Sequence, residues 1–106
     1  MKNNKNNFII CAAIWYNDGK ERPNMPLNIK TGIVVGGWRH GNCISILYEI
    51  FPERDYIKNN KDRKTTIQGF LTSNGMFVDR NESGQIAFNA GQINKITECL
   101  FSEDLY

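Results

Sequence analysis

One stretch, residues 67–91 (IQGFLTSNGMFVDRNESGQIAFNAG), carries the start and stop signals of a complete strand–turn–helix unit. Residues 67–72 are rich in apolar and β-branched side chains, which predicts a strand. The Ser-Asn-Gly that follows is a turn signal. Asp79 predicts a helix N-cap, because Glu82 stands three residues later, as in a capping box. Gly91 then predicts where this helix ends.

A second unit of the same kind is predicted at residues 31–51. Residues 31–35 predict a strand, and two glycines follow it. Apolar residues at helical spacing then predict a helix over about residues 39–51, which Pro52 would stop.

Upstream, residues 8–16 are almost entirely apolar, which predicts a strand that is buried on both faces, with a buried helix as the alternative. Asn17-Asp18-Gly19 is typical of a hairpin turn. Residues 20–30 contain two prolines, so they can form at most a short edge strand.

The remaining segments are predicted to lie at the surface. Residues 1–7 are a Lys- and Asn-rich tail that we expect to be flexible, and residues 53–66 form a polar surface loop. Residues 92–106 have apolar side chains at helical spacing. The whole chain, residues 1–106, therefore predicts one α+β domain: a small antiparallel sheet with two helices on one side, each following a strand–turn unit, and a C-terminal tail.

Composition excludes some functions. The net charge of +2 is too small to predict DNA binding by bulk electrostatics. No apolar run approaches the ~20 residues of a membrane span, and we identify no secretion signal. The three cysteines are widely spaced and odd in number, which indicates a reduced, intracellular protein. His40 and Cys43 have a ligand-like spacing, but no CxxC pair accompanies them, so we expect no metal and no cofactor.

The first candidate site is the glycine turn and helix start at residues 36–42. Glycines let main-chain N–H groups approach a ligand, and a helix N-terminus favours an anion. Arg39, His40 and Asn42 add side chains there. The alternative is a tight turn with Trp38 in the core and Arg39 as a solvated helix end.

The second candidate site surrounds the turn of the 67–91 unit. Phe70 and Phe77 flank this turn, and Arg80 stands at the start of the helix. Flat rings stack on bases, and arginine pairs with phosphates through two hydrogen bonds. The alternative for both rings is core packing.

The sequence lacks the residue sets of common enzymes. It contains no recognisable Ser/His/Asp set and no close carboxylate pair, and Asp79 is better explained as an N-cap than as a base. We therefore expect a binding protein and not an enzyme.

Several motifs together resemble a known family of small phage proteins, the Thoeris anti-defence sponges. These motifs are CAAIWY (11–16), WRHGNC (38–43), QGFLTSNGMFVDR (68–80), IAFNAGQI (86–93) and SEDLY (102–106). The resemblance implies a homo-oligomer in the cytoplasm of the bacterial host. Its subunits would enclose a cyclic nucleotide-derived immune signal, such as a cyclic ADP-ribose isomer, and sequester it without cleavage. Cyclic oligonucleotides could occupy a separate site.

In such a sponge an aromatic ring stacks on adenine and arginines hold phosphates. The resemblance leaves Phe70 or Phe77 as the stacking ring, and Arg39 or Arg80 as the phosphate clamp. The candidate ligand-binding residues are Arg39, His40, Asn42, Phe70, Thr72, Phe77 and Arg80. Two alternatives remain: a small phage nucleic-acid-binding protein, whose affinity would fall steeply with salt, and a small nucleotide-cleaving enzyme with His40 as acid or base. Nucleic acid and membrane are not the partners that we expect.

Overall fold

The computed structural model describes residues 7–55 and 58–106, so the predicted flexible tail lies, apart from Asn7, outside the described residues. The strands are β1 (Ile9–Tyr16), β2 (Ile33–Gly37), β3 (Thr66–Thr72) and β4 (Phe77–Asp79). The helices are α1 (His40–Ile50), α2 (Asn60–Lys64) and α3 (Arg80–Asn89), and a 3-10 turn spans Ser102–Asp104. The strands form one sheet in the order β2-β1-β3-β4, and every neighbouring pair is antiparallel. The predicted α+β class is confirmed.

Strand β1 is buried on both faces, as its apolar run predicts. One face packs against α1 and α3, and the other is covered by the segment between β1 and β2. The buried core on the helix side consists of Ile9, Ala12, Ile14, Tyr16, Val35, Cys43, Leu47, Phe70, Val78, Ala87 and Leu100. The smaller core on the other face consists of Ala13, Ile29 and Phe77.

Both long helices begin near the middle of the sheet. Gly37, at the end of β2, pairs with Ala12, and Asp79, at the end of β4, pairs with Gly69. Gly69 itself pairs with Ala13. The two strands therefore end within one residue of the same level along β1, although they run in opposite directions.

From that shared level the two helices run apart. Helix α1 runs towards the Tyr16 end of β1, where the rings of Phe51 and Tyr16 lie 5.5 Å apart. Helix α3 runs towards the other end, where the Gln92 side chain accepts a hydrogen bond from the Ile9 N–H and donates one to the Ile9 carbonyl, both at 2.8 Å. The N-termini of both helices consequently lie above the centre of the sheet.

The N-cap and the C-terminal glycine predicted for α3 are confirmed. The Asp79 carboxylate accepts a 2.8 Å hydrogen bond from the Glu82 N–H, which is the N-cap interaction of α3. Gly91 follows the C-cap with φ of +78°, the left-handed conformation that favours glycine.

Four details differ from the predictions. Strand β2 begins and ends two residues later than expected, while residues 20–30 form no strand, in line with the prediction of at most a short edge strand. The short strand β4 was not predicted. The predicted loop 53–66 contains α2, whose Asp62 is buried and accepts a hydrogen bond from the Tyr16 hydroxyl. Residues 92–106 form turns instead of a helix, because tertiary packing of Leu100 overrides the helical spacing.

The segment 97–106, which we call the C-terminal strap, crosses the helix side of the sheet from α3 to α1. It begins against Gly84 of α3, where an added Cβ would lie 2.2 Å from the Thr97 carbonyl oxygen. The Leu100 N–H then donates a 3.0 Å hydrogen bond to the Arg80 carbonyl, and the Leu100 side chain is fully buried. Glycine in the middle of α3 therefore allows the strap to approach the helix backbone.

Replacing Gly84 with alanine tests this close approach. We expect Gly84→Ala to lower the free energy of unfolding by about 1–3 kcal/mol, because the new methyl group overlaps the Thr97 main chain. The matched control is Gly41→Ala in the first turn of α1, where nothing lies within 4 Å of the added Cβ. This control should be neutral or stabilising by up to about 1 kcal/mol, because alanine favours a helix more than glycine does. Denaturant unfolding measures both, and equal stability of the two variants would contradict the packing.

Candidate functional site

The start of α1 presents one arginine and one asparagine at the surface. Arg39 is the N-cap residue, and its N–H donates a 2.8 Å hydrogen bond to the Asn42 side-chain oxygen. Asn42 thereby satisfies the main chain at the helix start, and the guanidinium of Arg39 is left to make other contacts. The structure thus supports a capping role for Asn42 beside the arginine.

The Arg39 guanidinium lies against the end of the C-terminal strap. Its two terminal nitrogens donate to the Ser102 hydroxyl at 3.3 Å and to the Tyr106 main-chain oxygen at 2.7 Å. Its carbon is 5.0 Å from the centroid of the Tyr106 ring. That ring in turn lies on Trp38, with centroids 4.6 Å apart, and its hydroxyl donates a 2.7 Å hydrogen bond to the Trp38 carbonyl.

Arg80, the first residue of α3, makes a parallel set of contacts. Its terminal nitrogens donate to the Leu100 carbonyl at 2.7 Å and to the Gln68 side-chain oxygen at 2.6 Å. Its carbon is 4.7 Å from the centroid of the Phe101 ring. Each arginine therefore stacks on an aromatic ring of the strap and donates to a main-chain oxygen of the strap.

The two arginines lie on the same side of the molecule, and neither forms an ion pair with an Asp or Glu side chain in the part of the chain that the structure describes. Their contacts on the strap, Leu100 and Ser102, are two residues apart, which is at most about 7 Å of chain. The ion pairs of the described residues involve Arg22 and Arg54 instead. We call the set Trp38, Arg39, Arg80, Phe101 and Tyr106 the arginine–aromatic surface.

Three rings of this surface are exposed. Trp38 is 68% exposed, Phe101 49% and Tyr106 38%. Exposed rings of this size beside guanidinium groups offer stacking faces and anion donors in the same place. Trp38 is thus not a core residue, which settles one of the alternatives that the sequence left open.

Acidic residues of the strap lie nearby. Asp104 accepts a 2.9 Å hydrogen bond from the Phe101 N–H, which fixes the 3-10 turn. Glu103 is fully exposed, and its pKa is lowered, first by a hydrogen bond from its own main chain and also by the charges of Arg39 and His40. The strap therefore supplies negative charge near the arginines without forming an ion pair with them among the described residues.

Three other predicted ligand residues lie elsewhere. Phe70 is fully buried on the helix side of β3, and Phe77 is buried in the core of the opposite face, 6.1 Å from the Trp15 ring. Thr72 is buried at the end of β3, where its hydroxyl accepts a hydrogen bond from the Met76 N–H. The structure brings together Arg39, His40, Asn42 and Arg80 but separates them from Phe77 and Thr72.

His40 connects the start of α1 to β3 beneath this surface. Its Nε2 lies 2.7 Å from the Gly69 carbonyl oxygen, and its ring meets Phe70 edge-on at 5.0 Å. A carbonyl oxygen only accepts, so Nε2 carries a proton. Burial lowers the pKa of His40 below 6.5, the Arg80 charge lowers it further, and the Gly69 bond opposes this change.

Sequence reasoning missed the aromatic residues of the strap. The sequence predicts a C-terminal tail and places Phe101 in a helical spacing, which gives no reason to expect exposed rings. The available signal was the pair Glu103 and Asp104: they follow Leu100 by three and four residues, so a helix over this segment would carry two charges on its apolar face.

The cysteines do not form a metal site with His40 in the described residues. Cys43 is buried with its sulfur 3.7 Å from the Ala12 carbonyl, and Cys99 is exposed. Among residues 7–55 and 58–106, no group of three His, Cys, Asp or Glu side chains could hold a metal ion.

A family of phage proteins matches almost the whole chain. Residues 8–106 match the profile of the Phage T4 y16D protein family. The chain belongs to this family. The match spans every described strand and helix and the positions of the arginine–aromatic surface. No curated protein and no solved structure matches the chain.

The helices of this family member are short. The longest, α1, has 11 residues, and within the described part of the chain no helix has the length and apolarity that crossing a membrane requires.

The protonation of His40 is directly testable, because it is the only histidine. We expect an NMR titration of its ring to give a pKa below 6.5, with the proton on Nε2 in the neutral form. The neutral ring then stabilises the fold fully above pH 6.5, and this contribution is lost as the pH falls through the lower pKa of the folded state. The free energy of unfolding of the wild type should therefore fall more between pH 7.5 and pH 5.5 than that of His40→Gln. A pKa of 6.5 or higher would contradict the burial of the ring.

Proposed function

We propose that this phage protein binds and sequesters a cyclic nucleotide-derived immune signal without cleaving it, and thereby antagonises host anti-phage defence. The observation that carries the proposal is the arginine–aromatic surface: two arginines without an Asp or Glu ion-pair partner among the described residues, at two adjacent helix N-termini, beside exposed rings. A cyclic ADP-ribose isomer is the ligand class that the resemblance to Thoeris anti-defence sponges favours.

The chemistry of the surface suits a nucleotide. Guanidinium groups form paired hydrogen bonds with phosphate oxygens, and helix N-termini add main-chain donors with a partial positive charge. Trp38 and Phe101 expose flat rings on which a base can stack. Phosphate donors and stacking faces thus occur together, which is the combination that distinguishes a nucleotide from a simple anion.

Sequestration of a ligand requires fewer functional groups in a protein than catalysis does. It needs donors and stacking surfaces that are already in place, so that little ordering accompanies binding. Arg39 and Arg80 are held in position by hydrogen bonds from each guanidinium. His40, the residue that an enzyme would use as acid or base, is engaged with the Gly69 carbonyl and has a lowered pKa.

Two further considerations support an anti-defence role. The chain belongs to a family of phage proteins, and its motifs resemble those of the sponges. The resemblance also implies a homo-oligomer with pockets between subunits. We therefore propose that a neighbouring subunit closes the arginine–aromatic surface over the ligand.

A capture-and-release assay tests the proposal. The purified protein is mixed with cyclic ADP-ribose isomers and with cyclic di- and trinucleotides, and removed by filtration; the filtrate and the heated protein fraction are then analysed. We expect one ligand to leave the filtrate and to return unchanged after heating. Arg39→Ala and Arg80→Ala should each weaken capture by roughly 10–100-fold, since a hydrogen bond to a charged group contributes about 1.5–3 kcal/mol.

The matched control is Arg63→Ala on α2. Arg63 is exposed, and its guanidinium donates one 3.3 Å hydrogen bond, to Asn60. This variant removes one positive charge far from the arginine–aromatic surface. It should therefore capture the ligand as strongly as the wild type does. A ligand that returns as a product would indicate an enzyme and make His40 the next variant. Capture of long single-stranded DNA in place of the small ligands would favour the nucleic-acid alternative.

A further inference from the structure

One residue of the strap already occupies half of the arginine–aromatic surface. The Tyr106 ring covers Trp38, its main-chain oxygen accepts a 2.7 Å hydrogen bond from Arg39, and its hydroxyl donates to the Trp38 carbonyl. An aromatic ring on the indole and an oxygen on the guanidinium are the contacts that a base and a phosphate would make at the same atoms.

The two halves of the surface differ in how firmly the strap is held. On the Arg80 side the accepting residue is Leu100, which is fully buried in the core. Ser102 is also buried, with 2% of its surface exposed. Tyr106 is 38% exposed, and its main chain donates a 3.2 Å hydrogen bond to the Ser102 carbonyl and accepts one from Arg39. Because Tyr106 is not part of the buried core, it is a strap residue whose displacement leaves that core intact.

We propose that Tyr106 is an internal occupant of the Arg39–Trp38 half of the surface and controls access to it. The identity of the ligand in this inference rests on the proposed function. The occupation of this half of the surface by Tyr106 does not rest on it. A ligand that uses Arg39 displaces Tyr106, and its apparent dissociation constant is the intrinsic constant divided by the open fraction. Arg80 also donates to a strap carbonyl and stacks on Phe101, but its partner Leu100 is fully buried, so we expect this half of the surface to stay unchanged when Tyr106 leaves.

The test has one arm that needs no ligand. The protein is treated with phenylglyoxal, which modifies accessible arginine side chains, and the rate at each arginine is followed by mass spectrometry. Tyr106→Ala should raise the rate at Arg39 several-fold, because it removes the ring and the hydroxyl that hold the residue in place. The rates at Arg80 and Arg63 serve as internal controls and should not change. Tyr106→Phe keeps the ring, so its Arg39 rate should lie closer to that of the wild type.

The second arm measures binding of a panel of cyclic ADP-ribose isomers to the same three proteins. We expect Tyr106→Ala to bind on the order of tenfold more tightly than the wild type, if the open fraction of the wild type is about one tenth. Denaturant unfolding of each variant confirms that the fold is retained. An unchanged Arg39 rate in Tyr106→Ala overturns the proposal, and so does weaker binding by that variant, which would make Tyr106 a ligand contact.

The two arms also separate this proposal from the proposed function. If the Arg39 rate rises in Tyr106→Ala while none of the isomers binds either protein, Tyr106 does occlude Arg39 and the assigned ligand class is wrong. If the isomers bind and the Arg39 rate is unchanged, the ligand class stands and the occlusion is refuted.

Discussion

The shortness of β4 is the constraint on which the candidate site depends. Three residues pair with β3, and the last of them, Asp79, already caps α3, so Arg80 lies next to the level of Gly69 and near the start of α1. Two more strand residues would carry Arg80 about 7 Å along the sheet, away from His40 and Arg39. The coincidence of the two helix starts is thus a matter of strand length and register, and it requires no direct contact between the helices.

The C-terminal strap contacts both helix starts and joins them into one surface. Leu100 anchors it in the core and accepts a hydrogen bond from Arg80, and Ser102 farther along the strap accepts one from Arg39. Long arginine side chains lose considerable rotamer entropy when they are fixed, and the strap fixes both through hydrogen bonds and ring contacts. An arrangement that is ordered before a ligand arrives has less to order when it binds.

Local signals in the sequence predicted much of the fold. The parts of the fold that were predicted wrongly depend on long-range packing. The cap at Asp79, the glycine at position 91 and the apolar run of β1 each act over a few residues, so they are readable from the chain. Strand β4 is too short for a period-2 pattern, and the buried Leu100 overrides the helical spacing of the strap. Arg39 and Arg80 were identified from their positions at helix starts, which is also a local feature.

The aromatic partners could not be identified in the same way. Whether a ring faces the core or the solvent depends on strand register, and one position along β3 or β4 reverses it. Phe70 and Phe77 were chosen because they flank a turn, but both side chains point into cores on opposite faces of the sheet. The exposed rings belong to Trp38 and to a strap with no regular structure, whose path was fixed by contacts 60 or more residues apart in sequence.

The opposite directions of α1 and α3 also shape the electric field of the molecule. Their dipoles point in opposing directions, so at long range they largely cancel, while their positive ends add over the centre of the sheet. With a net charge of +2, little attraction remains for a distant polyanion. A positive potential confined to one spot selects by size: it favours a compact anion that fits within the spot over a polymer that extends beyond it.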